Sequence, residues 1–394
     1  MPGSVPHRAG SAGGDLVFSF SYLSWEAAAR RGWFGTEDRL AQGLVAHERV
    51  ERLLVCDQMR SLPARLLRDR QARARGERVA FPAGASAQLL RPVRLRREYP
   101  TSIAGVRRAC AAFDRALERG ARRMGLREPA VLTANPLVAG FAELAWAGPV
   151  TFFATDDWLA YEPHRRWWPA YEESFARQRS RGRRVCAVTP AALERIAPTG
   201  PSAVVPNGVD PAEWRGDTGP PPDWALSPRR PLLVYAGSLD SRLDVPALLA
   251  LAQGLPDAEV VLVGPLLDPD HLAPLSEAPN VAIRPPLARA EVVALIRHAD
   301  VGLLPHRELA LTRAMSPLKL YEYLAAGLPV VAADLPPVRG VHPSVTPVAP
   351  GGDYAAAVRD ALARGRADER QRAAFIAEHS WRARHDALLD LALA

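Results

Sequence analysis

Lysine is nearly missing from this sequence. Of the 50 Lys and Arg side chains in 394 residues, one is lysine, Lys319, and every other is arginine. An ammonium is a compact point charge, whereas a guanidinium is a planar fork. A chain that otherwise uses arginine throughout therefore points to Lys319 as a site that wants the ammonium. Cysteine is scarce as well. Cys56, Cys110 and Cys186 are odd in number, widely spaced and set among mostly apolar or small neighbours. That pattern argues for buried thiols in a reducing cytosol and against a metal site. No apolar run approaches the length of a bilayer span. The first residues are mostly Gly, Ser, Ala and Pro with His7 and Arg8 and lack the apolar centre of a signal peptide, so residues 1–14 are expected to form a disordered lead. Helix-turn-helix, zinc-finger and RNA-binding signatures are absent too. The net charge of +7 is accordingly read as affinity for phosphate-bearing partners, nucleotides or anionic lipids, with nucleic acid set aside.

What is present is an α/β rhythm carried twice. The hydrophobic share of 48% is that of a globular chain, and the length suits two domains. Short apolar runs at 15–20, 50–56, 130–134, 150–154 and 183–188 alternate with helical stretches, and the rhythm resumes at 232–236, 259–264, 281–284, 301–305 and 330–333. This predicts two Rossmann-like doubly wound domains, at 15–210 and 232–378. Between them residues 211–231, with six prolines, read as a linker. Residues 379–394 read as a last amphipathic helix.

Residues 316–334 (SPLKLYEYLAAGLPVVAAD) organise the rest. Ser316 suits a helix N-cap and Pro317 the first helical position; Gly327 and Pro329 stop the helix, and Val330 to Ala333 is a buried parallel strand. Lys319 and Glu322, three residues apart, share one face. A lysine in the first turn adds a full charge to the positive end of the helix dipole, which suits phosphate, and a carboxylate one turn on suits the paired hydroxyls of a ribose. The alternative is a solvated Lys–Glu pair on an amphipathic helix.

Six other places hold candidate chemistry. Gly237 and Ser238 follow the strand at 232–236, where a missing Cβ admits a phosphate, and Arg242 lies close behind to pair with it. His306 and Arg307 follow the strand at 301–305 as donor-sugar or phosphate contacts, or simply as polar strand-end residues. At 150–158 an apolar strand runs into Asp156 and Asp157. Adjacent carboxylates repel, so one is expected to have a raised pKa and base-like behaviour, unless the pair caps a helix. Trp158 and His164, in an aromatic group with Tyr161, Trp167, Trp168 and Tyr171, are either an acceptor wall or core. Asn135 is either a cleft residue or a turn. Between Arg60 and Arg97 an arginine series interleaved with Leu62, Leu66 and Leu67 is either a solvated face or a patch for acidic headgroups or a polyanionic acceptor.

Two stretches carry a family resemblance. Pro317, Lys319, Glu322, Ala325, Gly327, Pro329, Val330 and Val331 resemble the P-x-K-x-x-E-x-x-A-x-G-x-P-V-V signature of family-4-type GT-B glycosyltransferases, and Val205 to Asp210 (VPNGVD) is similar to the string that commonly ends their N-terminal domain. The resemblance implies an α/β GT-B fold whose two domains face across a cleft, an acceptor domain first and a nucleotide-sugar domain second, with the last helix crossing back to the first. It implies Lys319 on the diphosphate and Glu322 on the ribose, with Ser316, Pro317 and Leu318 beside them. Gly237, Ser238, Arg242, His306 and Arg307 would complete the donor site. Asp157 and Asp156 would be catalytic, with Asn135, Trp158 and His164 on the acceptor. The implied activity is hexosyl transfer from a nucleoside-diphosphate sugar to a saccharide, lipid-linked or small-molecule acceptor, with retention, without a metal and with no cofactor besides the donor. The implied location is cytoplasmic, peripheral on the inner face of a membrane. Ala314 stands where many family members carry a second glutamate, and Asp244 stands nearest to an expected lysine. A GT-B-type sugar-nucleotide epimerase and a catalytically silent scaffold remain the alternatives, and the base, sugar and acceptor remain open.

Overall fold

Apolar runs too short for helices become strands, the central ones buried on both faces, and they assemble into two parallel sheets. The computed structural model describes residues 13–74, 79–82, 84, 86–95, 97–216, 219–226 and 230–394. The expected lead, apart from Gly13 and Gly14, lies outside the described residues, as do Arg75, Arg78 and Arg96 of the arginine series.

The chain divides into two compact units, one reaching Val205 and including His385–Ala394, the other Pro206–Arg384. The first unit holds β1 (Gly14–Ser19), β2 (Val50–Cys56), β3 (Ala87–Leu90), β4 (Ala130–Thr133), β5 (Val150–Ala154), β6 (Arg184–Ala187) and β7 (Ser202–Val204). Their order is β3-β2-β1-β4-β5-β6-β7, parallel throughout. The second holds β8 (Leu232–Ala236), β9 (Glu259–Val263), β10 (Val281–Arg284), β11 (Val301–Leu304), β12 (Val330–Ala333) and β13 (Val345–Val348), in the parallel order β10-β9-β8-β11-β12-β13. Both sheets thus start in the middle, wind outward to one edge, and return to wind to the other. This is the doubly wound topology, whose reversal points lie between β1 and β4 and between β8 and β11. The three cysteines are free and buried. No helix among the described residues is long and apolar enough to cross a membrane.

The unit boundary corrects the sequence reading. Residues 206–210 were expected to end the first domain and 211–231 to be a linker. Instead Asn207 donates its backbone N–H to Ser316 Oγ (3.1 Å) and its side-chain amide to the Ser316 carbonyl (2.6 Å). Val209 pairs with Ser380, its N–H donating to His379 at 2.9 Å. Pro211–Trp214 is a helical turn capped by Asp210, and Trp214 is fully buried in the second unit's core. Proline density suggested an exposed connector, but one large ring supplies enough apolar area to fix the segment. At the other end, residues from His385 on pack in the first unit, where Leu388 and Leu389 join the core. Gly43 leaves room there for the His385 ring, which a Cβ would approach to 2.3 Å.

Replacing Trp214 by Ala is expected to destabilise the second unit by ~3–5 kcal/mol, the usual cost of emptying a large core position. The check is a lower urea midpoint for that unit, and an unchanged midpoint would return residues 211–216 to the status of a linker.

Candidate functional site

In doubly wound sheets ligands gather beyond the carboxyl ends of the strands where the order reverses. In the second unit, Gly237 and Ser238 follow β8 there, and His306 and Arg307 come soon after β11. The third contributor is helix Leu318–Ala325. It begins one residue later than the sequence suggested: Pro317 is the N-cap, because the Ser316 hydroxyl accepts from Asn207 instead of capping. Ser316 and Pro317 are buried and Leu318 half-buried. The helix ends with Gly327 at φ 75°, the N–H groups of Gly327 and Leu328 donating to Leu324 and Tyr323 (each 2.9 Å), the paired bonds of a Schellman stop. Tyr323 anchors it to the sheet: its hydroxyl accepts the Ala236 N–H at 2.9 Å, and its ring lies against Gly302, where a Cβ would come within 2.4 Å of it.

This framing sets Lys319 against the end of β8. A Cβ on Gly237 would lie 2.0 Å from Lys319 Cε, so glycine is required for the lysine stem to pass. Gly264, just past β9, is needed for the same reason, since a Cβ there would meet the Gly237 carbonyl at 2.0 Å. The ammonium sits 4.9 Å from the centre of the Tyr235 ring. It has no hydrogen bond or ion pair among the described residues. Burial, and next the Arg242 charge, lower its pKa from 10.5 to about 8, although Glu322 and Asp240 pull the other way.

The surrounding groups keep this ammonium without a close counter-ion. Arg242 is clamped by Asp240 (Nε–Oδ1 2.9 Å, Nη2–Oδ2 2.7 Å). Burial pushes the Asp240 carboxyl up, but the hydrogen bonds and charge of Arg242 outweigh it and hold the pKa below its usual value. His306 is buried, with Nε2 3.4 Å from the Tyr235 hydroxyl. Burial first, then Lys319 and Arg242, drives its pKa well down, so the imidazole is neutral. Arg307 is exposed, its Nη1 donating to Ser241 at 3.2 Å and its N–H to the Arg242 carbonyl at 2.7 Å. Asp244 caps helix Val245–Gly254, and Ala314 is buried in helix Ala310–Ala314. Glu322 is held through Oε1 by Arg289, whose Nε and Nη2 also take Glu213 Oε2 (3.1 and 2.6 Å). Sequence reading missed this Glu213–Arg289–Glu322 chain, as it missed Tyr235, Asp240 and Gly264. Asp240 alone left a local trace, two residues before Arg242.

In the first unit the strands β1 and β4 flank the reversal. There Asn135 is a helix cap: its Oδ1 accepts from Leu137 (3.0 Å) and Val138 (3.2 Å), and its amide donates to the Ser21 carbonyl (2.9 Å). Both ends of the side chain are thus used by backbone, as the N-cap of helix Pro136–Phe141. Asp157 is likewise turned inward, Oδ1 accepting from the Leu159 N–H at 3.0 Å and Oδ2 lying 3.8 Å from Arg195 Nε; Asp156 is exposed. Trp158 and Tyr171 are core residues, and Trp158 stacks on His164 (5.7 Å, 7°), whose Nδ1 lies 3.2 Å from the Tyr171 hydroxyl. Burial and the Arg166 charge lower the His164 pKa. The aromatic group is thus mainly packing, with Tyr161 exposed at its edge.

Two acids at this end of the sheet with raised proton affinity are ones the sequence reading did not select: Asp57, which burial lifts to about 6, and Glu37. Glu37, buried at the start of helix Thr36–Val45, accepts from the Ser21 N–H at 2.9 Å and from its hydroxyl. Burial lifts its pKa from 4.5 to about 7 against those hydrogen bonds, with smaller upward pushes from Asp38 and Asp156. Among the described residues no group of three or more His, Cys, Asp or Glu is arranged to hold a metal ion.

Residues 230–365 match the family described as Glycosyl transferases group 1. A Bacillus subtilis protein assigned as a teichuronic acid biosynthesis glycosyltransferase is 30% identical over 135 residues, 34% of either chain. The match therefore spans about a third of that relative. Among solved structures, a sucrose-phosphate synthase from Thermosynechococcus elongatus aligns with a TM-score of 0.68 at 16% identity, over 96% of this chain and 98% of that one. A UDP-forming α,α-trehalose-phosphate synthase from Burkholderia vietnamiensis aligns with a TM-score of 0.69 at 16% identity over the same shares. The fold is that of GT-B glycosyltransferases.

Glu37 makes a pH-dependent contribution that can be isolated. Its folded pKa lies above its unfolded one, so its stabilising share is complete below the ordinary 4.5 and is lost as pH rises through about 7. Glu37→Gln, which cannot titrate, is expected to flatten this fall in the urea midpoint of the first unit. An equally steep fall in the variant would show that the titration lies elsewhere.

Proposed function

We propose that the chain is a glycosyltransferase that moves a sugar from a nucleoside-diphosphate donor, held by the second unit, to a saccharide, lipid-linked or small-molecule acceptor held by the first. The observation that carries this reading is the Lys319 ammonium, desolvated and without a close counter-ion beyond the reversal point of the second sheet. The group 1 match over residues 230–365 covers the same segment. A diphosphate supplies the missing anion. Arg242, already oriented by Asp240, adds a second cation, and the first turn of helix Leu318–Ala325 adds its dipole.

Glu322 fits the ribose in this scheme. Arg289 holds one carboxylate oxygen, which leaves Oε2 to accept from the two hydroxyls. When the bond between sugar and diphosphate breaks, negative charge grows on the leaving oxygen. Lys319 and Arg242 meet that charge without reorganising, and so supply the stabilisation that a metal provides in other transferases. In this scheme neutral His306, beside Tyr235, contacts the donor sugar as a hydrogen-bonding group. Transfer with retention, and the protein's place at the inner face of a membrane, belong to the same proposal by family likeness.

A thermal-shift series with UDP, GDP, ADP and their sugar conjugates tests the donor site. One nucleotide is expected to stabilise the wild type, and Lys319→Ala and Glu322→Ala to abolish its effect. Stabilisation by none of them would remove the support for this reading. Turnover then separates the alternatives: a transferase releases nucleoside diphosphate, an epimerase isomerises the donor without release, and a scaffold leaves it untouched.

The pH dependence of binding is a second check. A bound diphosphate favours the ammonium, so its affinity is expected to fall as pH rises past about 8, where the free Lys319 loses its proton. With a single lysine in the chain, the same titration can be followed as one side-chain signal by NMR. A signal that titrates near the ordinary 10.5 would show that the amine is not desolvated.

A further inference from the structure

Glu213, Arg289 and Glu322 come from three distant places in the chain of the second unit and meet in one line. Arg289 opens helix Arg289–His298, which follows β10. Glu213 belongs to the helical turn Pro211–Trp214, and Glu322 to helix Leu318–Ala325. The three side chains are largely buried, with 20%, 14% and 14% of their surface exposed.

A guanidinium is planar, so partners on two of its edges are held at a set angle to each other. Glu213 Oε2 takes the edge formed by Nε and Nη2, at 3.1 and 2.6 Å, and Nη1 is presented to Glu322 Oε1. The same guanidinium lies 5.8 Å from the centre of the Trp214 ring, and Trp214 is fully buried. Burial works against the charge of Arg289, but Glu322 and Glu213 outweigh it and push the pKa above its ordinary value. The arginine therefore stays charged, and swinging it away would strand a buried carboxylate.

This arrangement bears on what Glu322 can recognise. A glutamate on an unsupported helix face samples several rotamers and must be ordered when a ligand binds. Held through Oε1, Glu322 has met that cost in advance. A carboxylate has about four lone-pair positions, so the bond from Arg289 leaves it able to accept from a pair of neighbouring hydroxyls. A site built to receive two hydroxyls discriminates against a ligand that brings one, because part of its acceptor capacity is then desolvated without return.

We propose that Arg289 and Glu213 are positioning residues that make Glu322 selective for the 2′,3′-diol of a ribose, so that the site takes ribonucleotides in preference to 2′-deoxyribonucleotides. This rests on the reading of the second unit as a nucleoside-diphosphate site.

The selection is read as a ratio of affinities. UDP, GDP and ADP, each beside its 2′-deoxy form, are titrated calorimetrically into the full chain. The wild type is expected to bind one ribonucleotide about tenfold or more tighter than its 2′-deoxy form. In Arg289→Gln and in Glu213→Gln the ratio is expected to shrink to about threefold or less, through weaker binding of the ribonucleotide. Arg289→Lys, which keeps the charge and loses the planar fork, is expected to shrink it as well. An unchanged far-ultraviolet spectrum shows that a variant is folded, and Glu213→Gln leaves the guanidinium in place should Arg289→Gln fail to fold. A purely structural role would weaken both forms equally, so an unchanged ratio in Glu213→Gln overturns the proposal. A wild type that binds both forms alike overturns it too, while leaving the nucleotide site standing. Binding of none of the six nucleotides overturns the donor reading and this proposal with it.

Discussion

A partly buried ammonium with no close counter-ion is costly, and the second unit is built around holding one. Lys319 reaches its place because Gly237 has no side chain, because Gly264 lets the backbone beyond β9 come close, and because Tyr323 pins the helix to the end of β8. Each of these contacts would be pointless for a solvated lysine on a helix surface. Burial and the Arg242 charge lower the Lys319 pKa, and burial first, then Lys319 and Arg242, keep His306 beside it neutral. A site that carries unfavourable charge in its empty state is matched to a ligand that brings the opposite charge.

The two stretches on which the family resemblance rests are parts of one piece of structure. Asn207, from the first, holds Ser316, from the second, by two hydrogen bonds. The V-P-N-G-V-D string is therefore a brace for the start of the Lys319 helix. Gly208 passes close to the His379 carbonyl, where a Cβ would be 2.8 Å away. Glu213, a few residues on, reaches Arg289 and through it Glu322. Asn207 and Glu213 thus help to position the two residues proposed for the nucleotide.

The first unit divides its chemistry differently from the expectation. The acidic pair Asp156 and Asp157, the ring Trp158 and the amide of Asn135 all stand at the correct end of the sheet. Asp157, Trp158 and Asn135, however, serve caps and core. The perturbed acids there are Glu37, buried against Ser21 from a distant helix, and Asp57, just past β2.

What the sequence determined by itself was local or periodic. Strand runs, the helix from 318, its glycine stop and the Lys319–Glu322 spacing depend on neighbours within one or two turns, so composition and period reveal them. The doubly wound class followed from the alternation of those elements. The tertiary structure alone decided which polar groups are buried and what they face. Glu37 is an ordinary helix-start glutamate until Ser21 and the sheet close over it, and Arg289 is an ordinary arginine until Glu213 and Glu322 flank it. Desolvation and charge pairing depend on distance in space. Residues far apart in the chain set those distances, and no local pattern encodes them.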